Sequence, residues 1–121
     1  MSDYNPEIID IKNLADAKKA ISNIGSDPNS IDIMAPKAVT KVIKLKNIVL
    51  QDAIIIKQDM LSIGGEVAIP KDAFELKEKT VDILMMGTLK QLRELIEKLN
   101  RHYPRINSIS KELSVTISAF C

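Results

Sequence analysis

The stretch from Ile48 to Gly65, I-V-L-Q-D-A-I-I-I-K-Q-D-M-L-S-I-G-G, constrains the fold more than any other part of the chain. Its apolar residues recur at helical spacing and cover about half of a helix circumference. A double glycine follows the last of them, and one glycine in the left-handed conformation would end a helix there. The sequence therefore predicts a helix over roughly Leu50–Ile63, buried against more than one neighbouring element.

This helix has one charged residue where an apolar one is expected. Its polar residues are predicted on the half of the circumference away from the apolar arc: Gln51, Asp52, Gln58, Asp59 and Ser62. Lys57 falls instead near the middle of the apolar arc. It could lie in a pocket, pair with a buried carboxylate such as Asp82 or Glu66, or act as an amine of shifted pKa. The alternative is a packed stem whose ammonium reaches water.

Strand-like and helix-like patterns alternate along the rest of the chain. Strands are predicted at Glu7–Lys12, Ile31–Met34, Val39–Lys46, Glu66–Pro70 and Thr80–Met86. The segment Val39–Lys46 also suits a helical face, but its β-branched residues favour a strand. Pro70 indicates an edge strand, and the continuous apolar run Thr80–Met86 indicates a central strand covered on both faces.

Helix caps and the alternation of elements predict the fold class. Asn13 caps a helix that ends near Gly25, and Thr88 with Gln91 forms a capping box for another. A last helix follows Pro104. Strands that alternate with helices favour an α/β fold with a mixed, largely parallel sheet and helices packed on it.

Length and composition predict one small domain spanning residues 1–121, with 1–6 a flexible N-terminus and 105–121 a C-terminal helical segment. Lys and Arg number 17 and Asp and Glu 16, and the aromatic residues are two Tyr and two Phe. Both features argue against nucleic-acid binding. No apolar run approaches the ~20 residues of a membrane span, and the polar M-S-D-Y-N-P start has no signal-peptide pattern. A cytoplasmic location is therefore expected.

The residue types that carry most enzyme chemistry are scarce. The chain has one cysteine, Cys121, and one histidine, His102, so neither a disulfide nor a Cys/His metal site is expected. Cys121 has no neighbouring base, and His102 is expected to cap a helix C-terminus. No catalytic constellation is visible, so no cofactor is predicted and catalysis is not the favoured interpretation.

Two connections are candidates for ligand binding. Gly87-Thr88 joins a strand to a helix N-terminus, where free N–H groups suit an anion such as phosphate and Lys90 could add charge. The alternative is an ordinary capped connection. Lys37 lies in a loop expected at the end of a strand, although a plain turn with a solvated lysine is also possible. Gly64-Gly65 is interpreted as a helix stop, with Glu66 as a possible polar contact.

Three segments carry a family resemblance: I-D-I-M-A-P-K-A (31–38), I-K-Q-D-M-L-S-I-G-G-E-V-A-I (56–69) and V-D-I-L-M-M-G-T-L-K-Q (81–91). In sequence and order they are similar to the region that precedes the catalytic barrel in long dihydropteroate synthases and in dihydropteroate synthase-related archaeal proteins. The resemblance covers about Ile8 to Leu99, with Asp59 where the family more often has Glu. The eight-stranded barrel itself has no room in this chain, so its catalytic residues correspond to nothing here.

The resemblance implies an accessory or interaction domain linked to folate or methanopterin biosynthesis. Such a domain would work with a pterin-pathway enzyme or as a homodimer. The alternative is a small ligand-binding or catalytic module for a phosphorylated or pterin-like ligand. Its candidate residues are Lys37, Lys57, Glu66, Gly87, Thr88 and Lys90.

Overall fold

Helices and strands alternate along the part of the chain that the structure describes. The computed structural model describes residues 3–71, 73 and 79–121. In chain order the elements are α1 (Leu14–Asn23), α2 (Pro28–Ala38), β1 (Thr40–Val49), α3 (Leu50–Ile63), β2 (Glu66–Ala68), β3 (Thr80–Thr88), α4 (Leu89–Leu99) and α5 (Pro104–Ile117), followed by a 3-10 turn, Ser118–Phe120. The predicted α/β class is confirmed.

The sheet is antiparallel, so the prediction of a largely parallel sheet is wrong. Its strand order is β1-β3-β2, and β3 pairs antiparallel with both neighbours. The strands β1 and β2 therefore run parallel to each other, joined by α3, as the alternation predicts. The difference arises because β3 lies between them, which gives a split β-α-β arrangement.

Two predicted strands are absent. Ile31–Met34 lies inside α2, which begins with Asp27 as its cap: the Asp27 side chain accepts a hydrogen bond from the Asn29 N–H at 3.0 Å, and Pro28 occupies the first turn. Asp-Pro is a helix-start signal, because Asp accepts from the first main-chain N–H groups and Pro suits the first turn. The other segment, Glu7–Lys12, precedes α1 without forming strand or helix.

The other elements follow the sequence closely. The ambiguous segment is the strand β1, and α3 spans the predicted residues and ends at Gly64, whose φ of +101° is left-handed. The Thr88–Gln91 capping box is present at the start of α4, and β2 is an edge strand. The strand β3 is central, but the prediction that both its faces are covered is wrong, because its buried and exposed residues alternate.

The core lies on one face of the sheet, where α3 and α4 pack. Its largest fully buried side chains include Ile56, Met60, Ile83, Met85, Leu92 and Leu95. The opposite face carries no helix among the described residues. This open sheet face consists of Val42 and Lys44 of β1, Asp82, Leu84 and Met86 of β3, and Glu66 and Ala68 of β2. No described helix is long and apolar enough to cross a membrane.

Candidate functional site

Lys57 forms an ion pair with Glu66, one of the two partners proposed from the sequence. Its ammonium donates to the Glu66 Oε1 at 3.1 Å and to the main-chain oxygen of Val67 at 2.6 Å. The same Oε1 accepts a hydrogen bond from the Val67 N–H at 2.8 Å. The Lys57 side chain is 32% exposed and the Glu66 side chain 54%. The stem is packed and the charge sits at the protein surface, where it is paired.

The Lys57–Glu66 pair covers the outer edge of the sheet. Val67 is the middle residue of β2, and β2 pairs with a strand on one side only among the described residues. A strand edge offers unpaired N–H and C=O groups that can bind another chain. Here Glu66 accepts from the N–H of Val67 and Lys57 donates to its C=O, so both groups are satisfied within the molecule.

The pKa of Glu66 depends mainly on a hydrogen bond from the main chain. The hydrogen bond from the Val67 N–H, followed by the one from Lys57, lowers the pKa of Glu66 below its usual value. The carboxylate of Glu66 is therefore the stable form at neutral pH. As a charged acceptor with both partners in place, it acts as a structural clamp in this conformation.

The Gly87–Thr88 connection uses most of its main-chain donors internally. The Thr88 N–H donates to Gln91 Oε1 at 2.9 Å, and the Gln91 N–H donates to Thr88 Oγ1 at 3.1 Å. The Leu89 N–H donates to the Val39 oxygen at 2.8 Å. An anion at this helix N-terminus would have to displace the cap, so the ordinary capped connection describes this conformation.

The glycines of this region make room for Met60. A Cβ atom at Gly87 would lie 2.5 Å from Met60 Cε, and one at Gly65 would lie 2.5–2.9 Å from three Met60 atoms. Met60 is fully buried. The double glycine thus has two distinct roles: Gly64 reverses the chain in the left-handed region, and Gly65 lets the methionine pack against the main chain.

The six predicted site residues are only partly brought together. Lys57 and Glu66 are in contact, and Glu66 pairs across the strands with Met86, the residue before Gly87. Lys90 instead pairs with Glu94 on the exposed side of α4. Lys37 is exposed in the last turn of α2, so the prediction that it lies in a loop at the end of a strand is wrong. That these residues bind a ligand stays a prediction.

A second polar cluster was missed by sequence reasoning. Asp52 is 1% exposed and accepts hydrogen bonds from two atoms of the Arg105 guanidinium, with Nη2 at 2.8 Å, and from the Tyr103 hydroxyl. The expectation that Asp52 faces away from the packed side of α3 is wrong, because the start of α5 covers that side. The cluster ties the first turn of α3 to the first turn of α5.

The pKa values in this cluster follow from the same contacts. The hydrogen bond from Arg105 lowers the pKa of Asp52 despite its burial, and the Tyr103 hydroxyl contributes in the same direction. The Asp52 carboxylate raises the pKa of Tyr103 and of Arg105. All three groups are thereby held in their neutral-pH ionisation states, with Asp52 and Arg105 charged.

The polar side of α3 continues toward its C-terminus with two more contacts. His102 Nε2 lies 2.9 Å from Asp59 Oδ2, and Lys98 Nζ donates to Ser62 Oγ at 2.7 Å. His102 is predicted to cap the C-terminus of α4, and its main-chain N–H donates to the Leu99 oxygen at 3.1 Å, while its side chain reaches across to α3. Asp52, Asp59 and Ser62 lie along one polar side of α3, and such a side has the same sequence pattern whether it faces solvent or another helix.

In the described ranges, no group of three or more His, Cys, Asp or Glu side chains could hold a metal ion. Asp82, the other candidate partner of Lys57, lies on the open sheet face, 3.8 Å from Lys44 Nζ. Cys121 is exposed, and its sulfur lies 3.3 Å from Arg93 Nη2.

Comparisons with known proteins point to one kind of relative. No protein-family model and no solved structure matches the chain. A bifunctional dihydropteroate synthase/dihydropteroate reductase of Helicobacter pylori is 30% identical over 102 residues, which is 84% of this chain. A probable bifunctional folylpolyglutamate synthase/dihydropteroate synthase of Halobacterium salinarum is 28% identical over 104 residues, which is 86% of this chain.

The relatives are much longer than the matched region. The match spans 27% of the Helicobacter protein and 12% of the Halobacterium protein. The names of both include dihydropteroate synthase, in agreement with the resemblance carried by the three sequence segments. The chain is therefore related to a segment of dihydropteroate synthase-containing bifunctional proteins.

Proposed function

We propose that this chain is an accessory module of dihydropteroate synthase-type proteins, working beside a pterin-handling enzyme of folate or methanopterin biosynthesis. The observation that carries the proposal is the match of most of the chain to one segment of two bifunctional proteins whose names share dihydropteroate synthase. The names of the two proteins differ in the second activity, so dihydropteroate synthase is the activity that both names share.

The fold supports a role outside the catalytic barrel. A (β/α)8 barrel takes about 250 residues and eight parallel strands. This chain has 121 residues, and its described strands form a three-stranded antiparallel sheet. In the relatives the polypeptide itself holds such a segment near the rest of the protein. A separate chain of this fold would instead have to associate with the enzyme.

A gene deletion in the source organism tests this function. Loss of the gene should slow growth unless reduced folate or its methanopterin counterpart is supplied, because the pathway would lack its accessory module. The intact gene should restore growth, and so should a Lys19→Met variant, because Lys19 is exposed on α1 and is not one of the candidate ligand residues. Unchanged growth and unchanged reduced-pterin content in the deletion strain would contradict the proposal.

A second candidate function is a small pterin-binding or catalytic module. It is favoured by the name of the Helicobacter relative, which adds dihydropteroate reductase, and by the fact that this chain matches 27% of that protein. Reduction of a dihydropterin delivers a hydride to C6 and a proton to N5. The hydride would come from a reduced nicotinamide or flavin. Lys57 and Glu66 remain candidate polar contacts, and Lys37, Gly87, Thr88 and Lys90 candidate anion contacts.

Absorbance spectroscopy distinguishes this second function. The purified chain is mixed with dihydropteroate and with either reduced nicotinamide or reduced flavin, and oxidation of the reductant is followed. Turnover that depends on the chain and on dihydropteroate supports the reductase. No turnover with either reductant, at enzyme concentrations near those of the substrate, argues against it and leaves the accessory role standing.

A further inference from the structure

The two outer edges of the sheet differ in how well they are protected. At the β2 edge, the Lys57–Glu66 pair satisfies the main-chain groups of Val67. At the opposite edge, β1 runs for ten residues and has β3 as its one sheet neighbour among the described residues. From Thr40 to Lys46, the main-chain groups that point away from β3 have no hydrogen-bond partner within the described ranges. This edge is therefore open to another strand.

The open edge of β1 carries a positive charge. Three of its residues are lysines, at positions 41, 44 and 46. Two copies of β1 laid edge to edge would bring three lysines from each copy together, and like charges on neighbouring strands destabilise a sheet. The edge therefore disfavours a second β1 and suits a strand that carries carboxylates.

Between the lysines, the edge is apolar on both faces of the sheet. Val42 is 61% exposed on the open sheet face. Ile43 and Leu45 pack against the core from the other face, and both remain partly exposed. A strand added beside β1 would thus bury apolar side chains on both of its faces, as an interior strand does.

The chain itself contains a strand-like segment of the complementary kind. The segment Glu7–Lys12, E-I-I-D-I-K, combines two carboxylates with three isoleucines and is predicted as a strand from its sequence. In the structure it forms neither helix nor strand, although Ile8 is 97% exposed and Ile9 55% exposed. No main-chain group from Glu7 to Ile11 has a hydrogen-bond partner among the described residues. The segment has the residues of a strand and no strand beside it.

The segment does not occupy the β1 edge of its own chain. Its residues Ile9, Asp10 and Ile11 line a shallow groove together with Asn13 and Asp16, at the start of α1. The outer side of β1 has no strand beside it in the described ranges. The segment and the edge are thus both available to a second copy of the chain.

One antiparallel register matches the segment to the edge residue by residue. It gives two pairs of opposite charge and two apolar pairs: Glu7 with Lys44, Ile8 with Ile43, Ile9 with Val42 and Asp10 with Lys41. Cross-strand pairs of both kinds stabilise a sheet. A slip of one residue in either direction removes both charge pairs. The pairing also ends before the irregularity of β1 between Leu45 and Ile48.

We propose that two copies of this chain exchange their Glu7–Lys12 segments, each segment adding as an antiparallel strand to the β1 edge of the other copy. The exchange of an identical element between two copies closes a two-fold symmetric dimer. Strand addition satisfies the outward main-chain groups of β1 and of the segment together. The inference concerns self-association and does not depend on the proposed function.

Sedimentation equilibrium of the intact chain, from about 1 µM to 1 mM, tests the exchange. The wild type is expected to form a reversible dimer in this range. Asp10→Lys should raise the dimer dissociation constant about tenfold or more, because an attraction becomes a repulsion at both exchange sites. Lys41→Asp should weaken the dimer in the same way. The double variant, with both substitutions, should restore it, since the charge pair is then reversed.

Asp32→Lys is the matched control for Asp10→Lys. Both carboxylates are exposed and pair with a lysine of their own chain, Asp32 with Lys18 at 3.3 Å and Asp10 with Lys12 at 3.6 Å. Asp32 lies on α2, away from the segment and from β1. Asp32→Lys should therefore leave the dimer dissociation constant unchanged.

Disulfide cross-linking tests the register and the identity of the partner. Ile8→Cys and Ile43→Cys are combined in a Cys121→Ser background, and the oxidised protein is run on a denaturing gel without reductant. The proposed register places the two new thiols opposite each other, so a disulfide-linked dimer is expected. Ile24→Cys with Ile43→Cys is the control, because Ile24 is also exposed but lies outside the segment, and it should stay monomeric.

Each other outcome overturns the exchange. A wild type that stays monomeric up to ~1 mM would show that the lysines only protect the edge. A disulfide within one chain would place the segment on its own β1, and a dimer unaffected by Asp10→Lys would use another surface. A monomer that still binds dihydropteroate synthase would remove the exchange and keep the accessory role, whereas an exchanged dimer without such binding would do the reverse.

Discussion

The Lys57 ammonium lies 3.1 Å from the Glu66 carboxylate, and together the two side chains satisfy both main-chain polar groups of Val67. This relationship explains why a lysine sits in the apolar arc of α3. The stem packs with the helix, and the charge reaches the edge strand that follows the double glycine. Lys57 therefore protects an edge that could otherwise pair with another chain.

Lys57→Met should destabilise the protein by about 1 kcal/mol, because Val67 loses a charged donor at a partly exposed site. Urea unfolding measures the change. Lys90→Met is the matched control, since it removes an exposed lysine from an i,i+4 pair with Glu94 and should cost about 0.5 kcal/mol or less. Equal effects of the two substitutions would contradict the edge-protection role.

Arg105→Met should be the most damaging of the charge substitutions, with a larger loss of unfolding free energy than Lys57→Met. The change leaves the buried Asp52 carboxylate with Tyr103 as its remaining partner in this cluster. Arg101→Met breaks an exposed pair with Glu97 and should change the unfolding free energy little. A loss no greater than that of Arg101→Met would show that the Asp52 cluster does not stabilise the fold.

Stability should fall in acid. The folded-state pKa values of Asp52 and Glu66 both lie below their usual values. Each group therefore contributes stability that is fully present above its unfolded pKa, near 4, and is lost as the pH falls through the folded pKa. Urea unfolding between pH 7 and pH 2 should show this loss, and Arg105→Met should show a shallower one. Parallel pH profiles for wild type and Arg105→Met would contradict the assignment to Asp52.

Gly65→Ala should destabilise by about 1–3 kcal/mol, because the new methyl group would overlap three atoms of the buried Met60 side chain. Its φ lies outside the left-handed region, so the cost comes from packing alone. In a Met60→Ala background the same change should cost nothing or even stabilise, since the space is then empty. An unchanged cost in that background would show that Met60 is not the reason for Gly65.

Local signals in the sequence predict much of this fold. Apolar spacing with a glycine stop defines α3, and the Thr88–Gln91 box marks the start of α4. Strand pairing depends on which strands meet in three dimensions, and local patterns carry no information about it. The antiparallel insertion of β3 between β1 and β2 therefore could not be predicted from the alternation of elements.

The sequence predicts one of the two polar clusters and not the other. Lys57 stands out because its neighbours on the helix are apolar, and its partner Glu66 is only nine residues away. Asp52 gave no such signal: it lies among other polar residues, and its partner Arg105 follows 53 residues later. Burial of a polar residue by a distant helix start is a tertiary effect that periodicity does not report.

Sedimentation velocity of the purified chain mixed with dihydropteroate synthase from the same organism tests the proposed function most directly. Interfaces between domains of one chain resemble transient protein interfaces, so we predict a complex with a dissociation constant on the order of 1 µM, about −8 kcal/mol. Each protein run alone reports any homodimer. A faster boundary containing both proteins would support the accessory role, and two boundaries that sediment independently at 50-fold above ~1 µM would contradict it.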